Sequence, residues 1–253
     1  MNGILILDKP AGITSHDACD EVKRILNVKK AGHAGTLDPM VTGVLVIALE
    51  DSTKALRLFN KLDKKYTGKA HVHADFNIKE VEKMIKSKFL GKIKQTPPKK
   101  SRVKREERER EVYEFKILNN DKRNFDFLVS CEAGTYIRKL IDDLGKELRV
   151  GMHMASLRRT EQGPFLEKEA IKVEDLKNNL LLKKSLLNLE DAVKRLNVKI
   201  IQVGDDQEHD IKQGKFISSD IQAGKELIVA MNKNKVIALM EKRENKLKPE
   251  RVF

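Results

Sequence analysis

GHAGTLDPMVTGVLVIAL, residues 32–49, is the stretch that decides the fold. Its glycines permit backbone angles that other residues avoid, and Pro39 biases Asp38 away from the helical region. The apolar run that follows, Val44–Leu49, is short and continuous, as in a buried strand. We therefore expect a sharp turn that holds the Asp38 carboxylate at the mouth of a buried strand. The alternative is an aspartate that only bonds the backbone of its own turn, which is a common role.

The flanking segments mix strand and helix patterns without regular βαβ alternation. Strands are predicted over 3–10, 64–76 and 154–165, with a hairpin formed by 112–118 and 124–134. Amphipathic helices are predicted after Thr14 or Ser15, over 78–93 and over 135–148. The segment 32–39 is read as a turn throughout. This order favours an α+β fold around a mixed sheet.

The composition changes near Asn197, which predicts two domains, 1–196 and 197–253. The second reads as a small β-rich module with a hairpin turn at Asn232–Asn234. Fewer than about sixty residues make a thin core, so we expect this module to pack on the main domain.

The net charge is +13, from 51 Lys and Arg against 38 Asp and Glu. Such an excess favours a polyanionic partner, most often nucleic acid. The alternative is a Lys- and Glu-rich bias of the kind seen in some thermophiles. Residues 197–253 carry only +2, so +11 belongs to the main domain.

Seven basic residues crowd residues 99–110, here called the basic segment, after two prolines. The segment is predicted to be an extended loop. It is either a solvated run of charge or a contact for RNA phosphates. The residues predicted to touch the RNA backbone are Lys99, Lys100, Arg102, Lys104 and Arg105.

Several classes of function are disfavoured. No apolar run reaches the ~20 residues that span a bilayer, and no signal-peptide pattern opens the chain, so a cytoplasmic location and no membrane partner are expected. Cys19 and Cys131 lack metal-type spacing and are read as buried thiols. His71 and His73 alternate on a predicted strand without a third ligand nearby, so no metal is expected. The familiar phosphate-loop, GxSxG and HExxH motifs are missing.

Three side chains suggest chemistry on a nucleic acid, each with an ordinary alternative. Asp38 is a candidate catalytic carboxylate, and Arg138 could pair with it and keep it ionised, although most arginines are simply exposed. Tyr66 could stack on an extruded base, or could be an ordinary strand aromatic. His33 could contact the base or cap the turn.

The order of four motifs resembles the TruB class of pseudouridine synthases. These motifs are LDKPAGITSHDA, GHAGTLDPMVTGVLVIAL, KKYTG and AGTYIRKLIDDLG. HVHAD, QTPPKKSRVKR and VGMHMASLRRTEQGPF are similar to the archaeal and eukaryotic dyskerin branch. The resemblance implies the pseudouridine synthase fold, a mixed sheet with a central active-site cleft. It also implies a shortened PUA-like RNA-binding module, built from both chain ends.

The resemblance also implies roles and partners. Asp38 would be the catalytic carboxylate, Arg138 its ion-pair partner, and Tyr66 the residue that stacks on the uracil and assists proton loss from C5. The substrate-binding residues would be His33, Lys9, Pro10, Thr36 and Leu157. No cofactor is implied. The leading hypothesis is the catalytic subunit of a box H/ACA particle, with a guide RNA, small accessory proteins, and rRNA or tRNA as substrate. The alternatives are a stand-alone synthase for the T-loop uridine of tRNA and a non-catalytic RNA-binding subunit.

Overall fold

The computed structural model of the protein describes residues 1–97, 104, 106–218 and 227–253. Within them, eleven strands form a large sheet and five form a second sheet. The strands of the large sheet are β1 (Gly3–Lys9), β2 (Ala31–Ala34), β3 (Thr42–Leu49), β4 (Lys64–Val72), β5 (Gly91–Gln95), β6 (Arg108–Asp121), β7 (Asn124–Cys131), β8 (Met152–Gln162), β9 (Phe165–Leu166), β10 (Ile171–Lys172) and β11 (Leu186–Leu187). The helices are α1 (Ser15–Leu26), α2 (Leu56–Asn60), α3 (Ile78–Lys88), α4 (Ile137–Glu147), α5 (Asn179–Ser185), α6 (Leu189–Lys194) and α7 (Asp205–Lys212). The second sheet contains β12 (Lys199–Gln202), β13 (Ile217–Ser218), β14 (Ile228–Asn232), β15 (Lys235–Arg243) and β16 (Lys246–Val252).

The large sheet runs in the order β10-β1-β3-β8-β4-β7-β6-β5. Most neighbours are antiparallel, but β3 pairs with β8 in parallel at Thr42 and Gly43, directly after the GTLDP turn. The predicted mixed sheet is therefore confirmed. Gly43 has φ of +100°, and a side chain there would meet the Arg159 carbonyl oxygen at 2.2 Å, so the close approach of β3 to β8 requires glycine.

Strand β3 is buried on both faces, as its continuous apolar run indicates. Leu45, Ile47 and Leu49 pack into a core beneath helices α1, α3 and α4. Val44, Val46 and Ala48 pack on the opposite side with α6 and with residues of the second sheet. The strand that leads out of the Asp38 turn is thus buried from Gly43 to Leu49.

Helix α1 begins where the sequence predicts. Thr14 is its N-cap, and its hydroxyl accepts from the Asp17 backbone N–H at 3.0 Å while Asp17 returns a bond to the Thr14 N–H. Such a cap stabilises a helix by about 1 kcal/mol. It also fixes Ser15, the first helical residue, beside the Asp38 turn.

The second sheet and α7 surround a smaller core of their own. The second sheet packs against the large one through apolar side chains, and Arg57 pairs with Glu241 at 3.0 Å. Among the described residues, all strands of the second sheet come from 199–252. The expectation that both chain ends build this module was therefore wrong, because the N-terminal strand pairs with β3, β10 and β11 instead.

Two local predictions also fail. The sequence predicts a turn over 32–39, but its first three residues belong to β2, which pairs antiparallel with β3. Residues 91–93 were assigned to the end of a helix, but α3 ends at Lys88 and Gly91 opens strand β5 against β6. In both cases pairing with a distant strand overrides the local pattern.

Candidate active site

The structure brings Asp38 and Arg138 into direct contact. The guanidinium of Arg138, in the first turn of α4, donates to the Asp38 carboxylate from 100 residues away in the sequence. Both side chains are about half exposed, 51 % for Asp38 and 54 % for Arg138. An exposed ion pair contributes only about 0–1 kcal/mol to stability, so its consequence is the orientation of the carboxylate.

The backbone on either side of Asp38 is held by buried groups. Ser15 is 1 % exposed, accepts from the Leu37 N–H at 2.8 Å and donates to the Leu37 carbonyl at 3.1 Å. On the other side, the Pro39 carbonyl accepts from the Gly12 N–H at 2.9 Å and from Lys9 Nζ at 3.1 Å. The exposed carboxylate therefore stands on a rigid turn, as the sequence predicts.

Lys9 is buried and has no carboxylate partner within the described ranges. Its ammonium donates to the carbonyl oxygens of Pro10 at 2.7 Å, Ile13 at 2.8 Å and Pro39 at 3.1 Å. Burial, with a smaller contribution from the Arg159 charge, lowers the pKa of Lys9. The side chain thus braces the end of β1 against the Asp38 turn, while Pro10 itself is exposed.

A second buried cation holds the first half of the turn. Arg159, 1 % exposed on β8, donates from Nε to the Val44 carbonyl at 2.6 Å and from Nη2 to the Gly35 carbonyl at 3.0 Å. Gln162, three residues further along β8, donates to the Ala34 carbonyl at 2.7 Å. Side chains of β8 therefore fix the backbone before Asp38 by hydrogen bonds to its carbonyl oxygens.

Tyr66 lies on β4 directly opposite Arg159, at a register shift between the two strands. It is 8 % exposed, and its cross-strand partner is the buried Arg159. Burial raises the pKa of the Tyr66 phenol, and the Arg159 charge opposes that rise. Tyr66 and Asp38 are thus tied to one another through Arg159 and the Gly35 carbonyl.

The predicted substrate-binding residues occupy different environments. His33 is half-buried on β2, and burial, then the Arg159 charge, lowers its pKa, which favours the neutral imidazole. Among the described residues none hydrogen bonds its buried Nδ1. Thr36 is exposed in the turn, whereas Leu157 is 8 % exposed and packs over Gly68.

Half of the basic segment lies outside the described residues, including Lys99, Lys100, Arg102 and Arg105. Lys104 is described, is exposed and pairs with Glu106. Contact of this segment with RNA stays a prediction.

The cysteine prediction is confirmed: Cys19 and Cys131 are both buried and free. Burial raises the pKa of each thiol to about 12. The reading of His71 and His73 was incomplete, because His153 of β8 joins them, with 3.0 Å between His153 Nδ1 and His73 Nε2. Even so, no group of three His, Cys, Asp or Glu within the described ranges is arranged to hold a metal ion.

Sequence reasoning missed Arg159, Ser15 and Tyr136. Tyr136 lies at the start of α4 and borders a cavity of about 150 Å³. The cavity is lined by Gln95, Pro97, Arg108, Arg110, Gly134 and Tyr136. The one available signal for Arg159 was its position two residues after Leu157 on the same face of a strand, since alternate residues share a face.

No helix in the part of the chain that the structure describes is long and apolar enough to cross a membrane.

Two family models together match residues 23–196 of the chain. Residues 23–137 match the TruB family pseudouridylate synthase (N terminal domain) model. Residues 138–196 match the tRNA pseudouridylate synthase B C-terminal domain model. A protein of Methanopyrus kandleri named "Probable tRNA pseudouridine synthase B" is 49 % identical over 178 residues, which is 70 % of this chain and 52 % of that protein. The chain thus spans about half the length of this curated relative.

Solved structures match nearly the whole chain. The crystal structure of a Cbf5-Nop10-Gar1 complex contains a chain with a TM-score of 0.87 and 33 % identity, over 99 % of this chain and 84 % of that one. An H/ACA RNP bound to a substrate RNA containing 2'-deoxyuridine gives a TM-score of 0.85 and 32 % identity, with 99 % and 84 % covered. By both sequence and fold, the chain belongs to the TruB family of pseudouridylate synthases.

Proposed function

We propose that this chain isomerises uridine to pseudouridine in RNA. The observation that carries the proposal is the Asp38 carboxylate, half exposed on a turn held by buried groups and oriented by Arg138. A fixed carboxylate in an accessible position suits covalent or electrostatic catalysis at a substrate that must be brought to it. Membership of the family supports the assignment.

The chemistry follows from what each side chain offers. The uridine leaves its stack to reach the site, at a cost of a few kcal/mol. Asp38 assists cleavage of the bond between N1 and the ribose, the uracil turns, and C5 bonds to C1′. The proton on C5 then departs, with Tyr66 as its acceptor, and Arg138 keeps Asp38 oriented throughout.

The remaining site residues serve binding. His33, neutral and half-buried beside the turn, contacts the extruded nucleotide, Thr36 lies at the exposed rim, and Leu157 supports the apolar floor. Lys9 and Pro10 brace the turn. The basic segment binds RNA phosphates, and residues 197–253 form a separate RNA-binding module beside a catalytic domain of residues 1–196.

We further propose that the chain acts in an H/ACA particle, with a guide RNA and small accessory proteins. The support is the match of 99 % of the chain to a Cbf5 subunit in a Cbf5-Nop10-Gar1 complex. A stand-alone enzyme for the T-loop uridine of tRNA is the second candidate, because the curated relatives are named for tRNA. A purely structural subunit is disfavoured, since Asp38, Arg138 and Tyr66 are all present.

The function is tested with Asp38→Asn and a matched control, Asp51→Asn, which removes an exposed carboxylate elsewhere on the surface. Asp38→Asn should bind RNA as the wild type does but form no pseudouridine, while Asp51→Asn should keep wild-type activity. Full activity in Asp38→Asn would refute the mechanism.

Guide dependence needs a separate assay, in which protein freed of RNA is given a tRNA transcript alone. Product at the T loop without guide or partners would establish the stand-alone enzyme. Product only after a guide RNA and accessory proteins are added would establish the particle.

A further inference from the structure

Arg159 is a cation with an unusual set of partners. It is 1 % exposed, yet within the described residues no carboxylate pairs with it. Its guanidinium donates instead to the carbonyls of Val44 and Gly35, and its cross-strand partner on β4 is the buried Tyr66. A buried charge is costly unless it is well hydrogen-bonded, so a neutral side chain would serve simple packing better.

The backbone of three neighbouring segments lies close to the Arg159 side chain or main chain. Tyr66 and Arg159 are direct partners across β4 and β8, which places their side chains next to each other on one face. Gly43 allows β3 to approach the Arg159 backbone, and a side chain at Gly35 would come within 3.5 Å of the guanidinium. Three separate elements therefore converge on Arg159.

We propose that Arg159 is a positioning residue for the isomerisation: as the buried cross-strand partner of Tyr66, it ties the position of Tyr66 to the turn that carries Asp38. This inference rests on the proposed function. Arg159 reaches the turn through the Gly35 carbonyl, and it acts on the substrate only through Tyr66 and this turn.

The Arg159 charge also favours the ionised form of Tyr66. The titratable groups that act on the Tyr66 phenol are Arg159 of β8 and Cys131 of β7. Burial of the phenol raises its pKa, the Arg159 charge opposes that rise, and Cys131 adds to it. Because Cys131 is itself a buried thiol with a pKa of about 12, Arg159 is the charged group of this pair at neutral pH.

The ionised form of Tyr66 is needed for loss of the proton from C5. Once C5 is bonded to C1′, the Tyr66 phenolate oxygen accepts the proton from C5, and the electron pair of the C5–H bond restores the C5=C6 double bond. The phenolate arises when the phenol releases its proton to water, and taking the C5 proton regenerates the phenol. A cation beside the oxygen favours the phenolate.

The pair can be tested without relying on activity. The chain has three tyrosines, so incorporation of a fluorinated tyrosine gives three fluorine NMR signals, and Tyr66→Phe identifies that of Tyr66. In Arg159→Met we expect the pH midpoint of this signal to rise by about one unit or more. If the methionine variant does not fold, Arg159→Gln replaces it, because glutamine keeps an amide donor for the Gly35 carbonyl. Its Tyr66 midpoint is compared with that of the wild type in the same way.

Arg158→Met is the matched control, because Arg158 is the next residue of β8 but pairs with Asp8 at 2.9 Å. It should leave the Tyr66 midpoint unchanged. An unchanged midpoint in both Arg159 variants would overturn the inference.

The second readout is the pH dependence of single-turnover isomerisation by the complete particle. Removing Arg159 should move the rising limb of the pH–rate profile to higher pH. At neutral pH the rate should fall about tenfold for each unit by which the Tyr66 pKa rises, and RNA affinity should be unchanged. Equal slowing at every pH would reduce Arg159 to a structural residue and overturn the proposal. An inactive wild type would instead refute the proposed function, and the NMR titration would still decide whether Arg159 controls Tyr66.

Discussion

Replacing Arg138 with methionine separates a catalytic ion pair from a structural one. The Arg138 and Asp38 side chains are 54 % and 51 % exposed, so loss of the pair should change the free energy of unfolding by no more than about 1 kcal/mol. If Arg138 instead orients Asp38 for the reaction, the rate should fall about 100-fold or more, as when a positioned electrostatic partner is removed from other active sites. A stability change of about 1 kcal/mol alters the ratio of folded to unfolded protein only about fivefold, so it would not explain a fall in rate of about 100-fold.

The assay is single-turnover release of tritium from RNA labelled at C5 of uridine, alongside urea unfolding of the same preparations. The matched control is Arg24→Met, because Arg24 forms a comparably exposed pair with Glu21 at 2.6 Å on the surface of α1. That control should lose equally little stability and keep its activity. Arg138→Met activity within about threefold of wild type, or a stability loss large enough to explain the defect, would refute the reasoning.

Three further predictions concern the turn, its histidine and the basic segment. Ser15→Ala removes both hydrogen bonds to Leu37 and should cost about 1–3 kcal/mol in urea unfolding; an unchanged midpoint would show that the turn holds itself. Burial lowers the pKa of His33, so the stability that it contributes is present above about pH 6.5 and is lost as the pH falls below that value. The difference in unfolding free energy between wild type and His33→Gln should shrink from pH 7 to pH 5, and a constant difference would contradict this. Neutralising the basic segment should weaken RNA binding and reduce its salt slope by roughly 0.7–0.9 per lost phosphate contact; an unchanged slope would exclude such contacts. The residues to change are Lys99, Lys100, Arg102 and Lys104.

Local signals in the sequence were sufficient for the elements that lead into the site. The unbroken apolar run of β3 predicted a buried strand, and Thr14 marked the start of α1. The alternation of Phe125 and Phe127 predicted β7, which is buried at those positions. These features depend on neighbours only a few residues away, so the pattern alone identifies them.

Pairing between strands that are distant in the sequence could not be predicted from local patterns. Strands β2 and β5 are four and five residues long, and each is defined by its partner strand rather than by its own composition. The burial of Arg159 depends on the register of β4 against β8, which no local pattern encodes. The meeting of His153 with His71 and His73 has the same origin.

The candidate site combines a residue that local sequence predicts with supporting residues that it does not. The turn geometry indicated Asp38, but the residues that support it come from β1, α1, α4 and β8. The family resemblance, and not the spacing of residues 38 and 138, suggested their pairing. The resemblance named Lys9, but its bonds to three carbonyl oxygens, and the role of Arg159, became apparent only when their partners were located in space.

The measurement that tests the central claim most directly is tritium release from C5-labelled uridine in RNA by the purified wild-type chain and by Asp38→Asn. Each is assayed alone and then with guide RNA and accessory proteins. Isomerisation at C5 must free the label, so we expect release by the wild type in at least one of these conditions and none by Asp38→Asn in either. Release by both proteins, or by neither in any condition, would contradict the account.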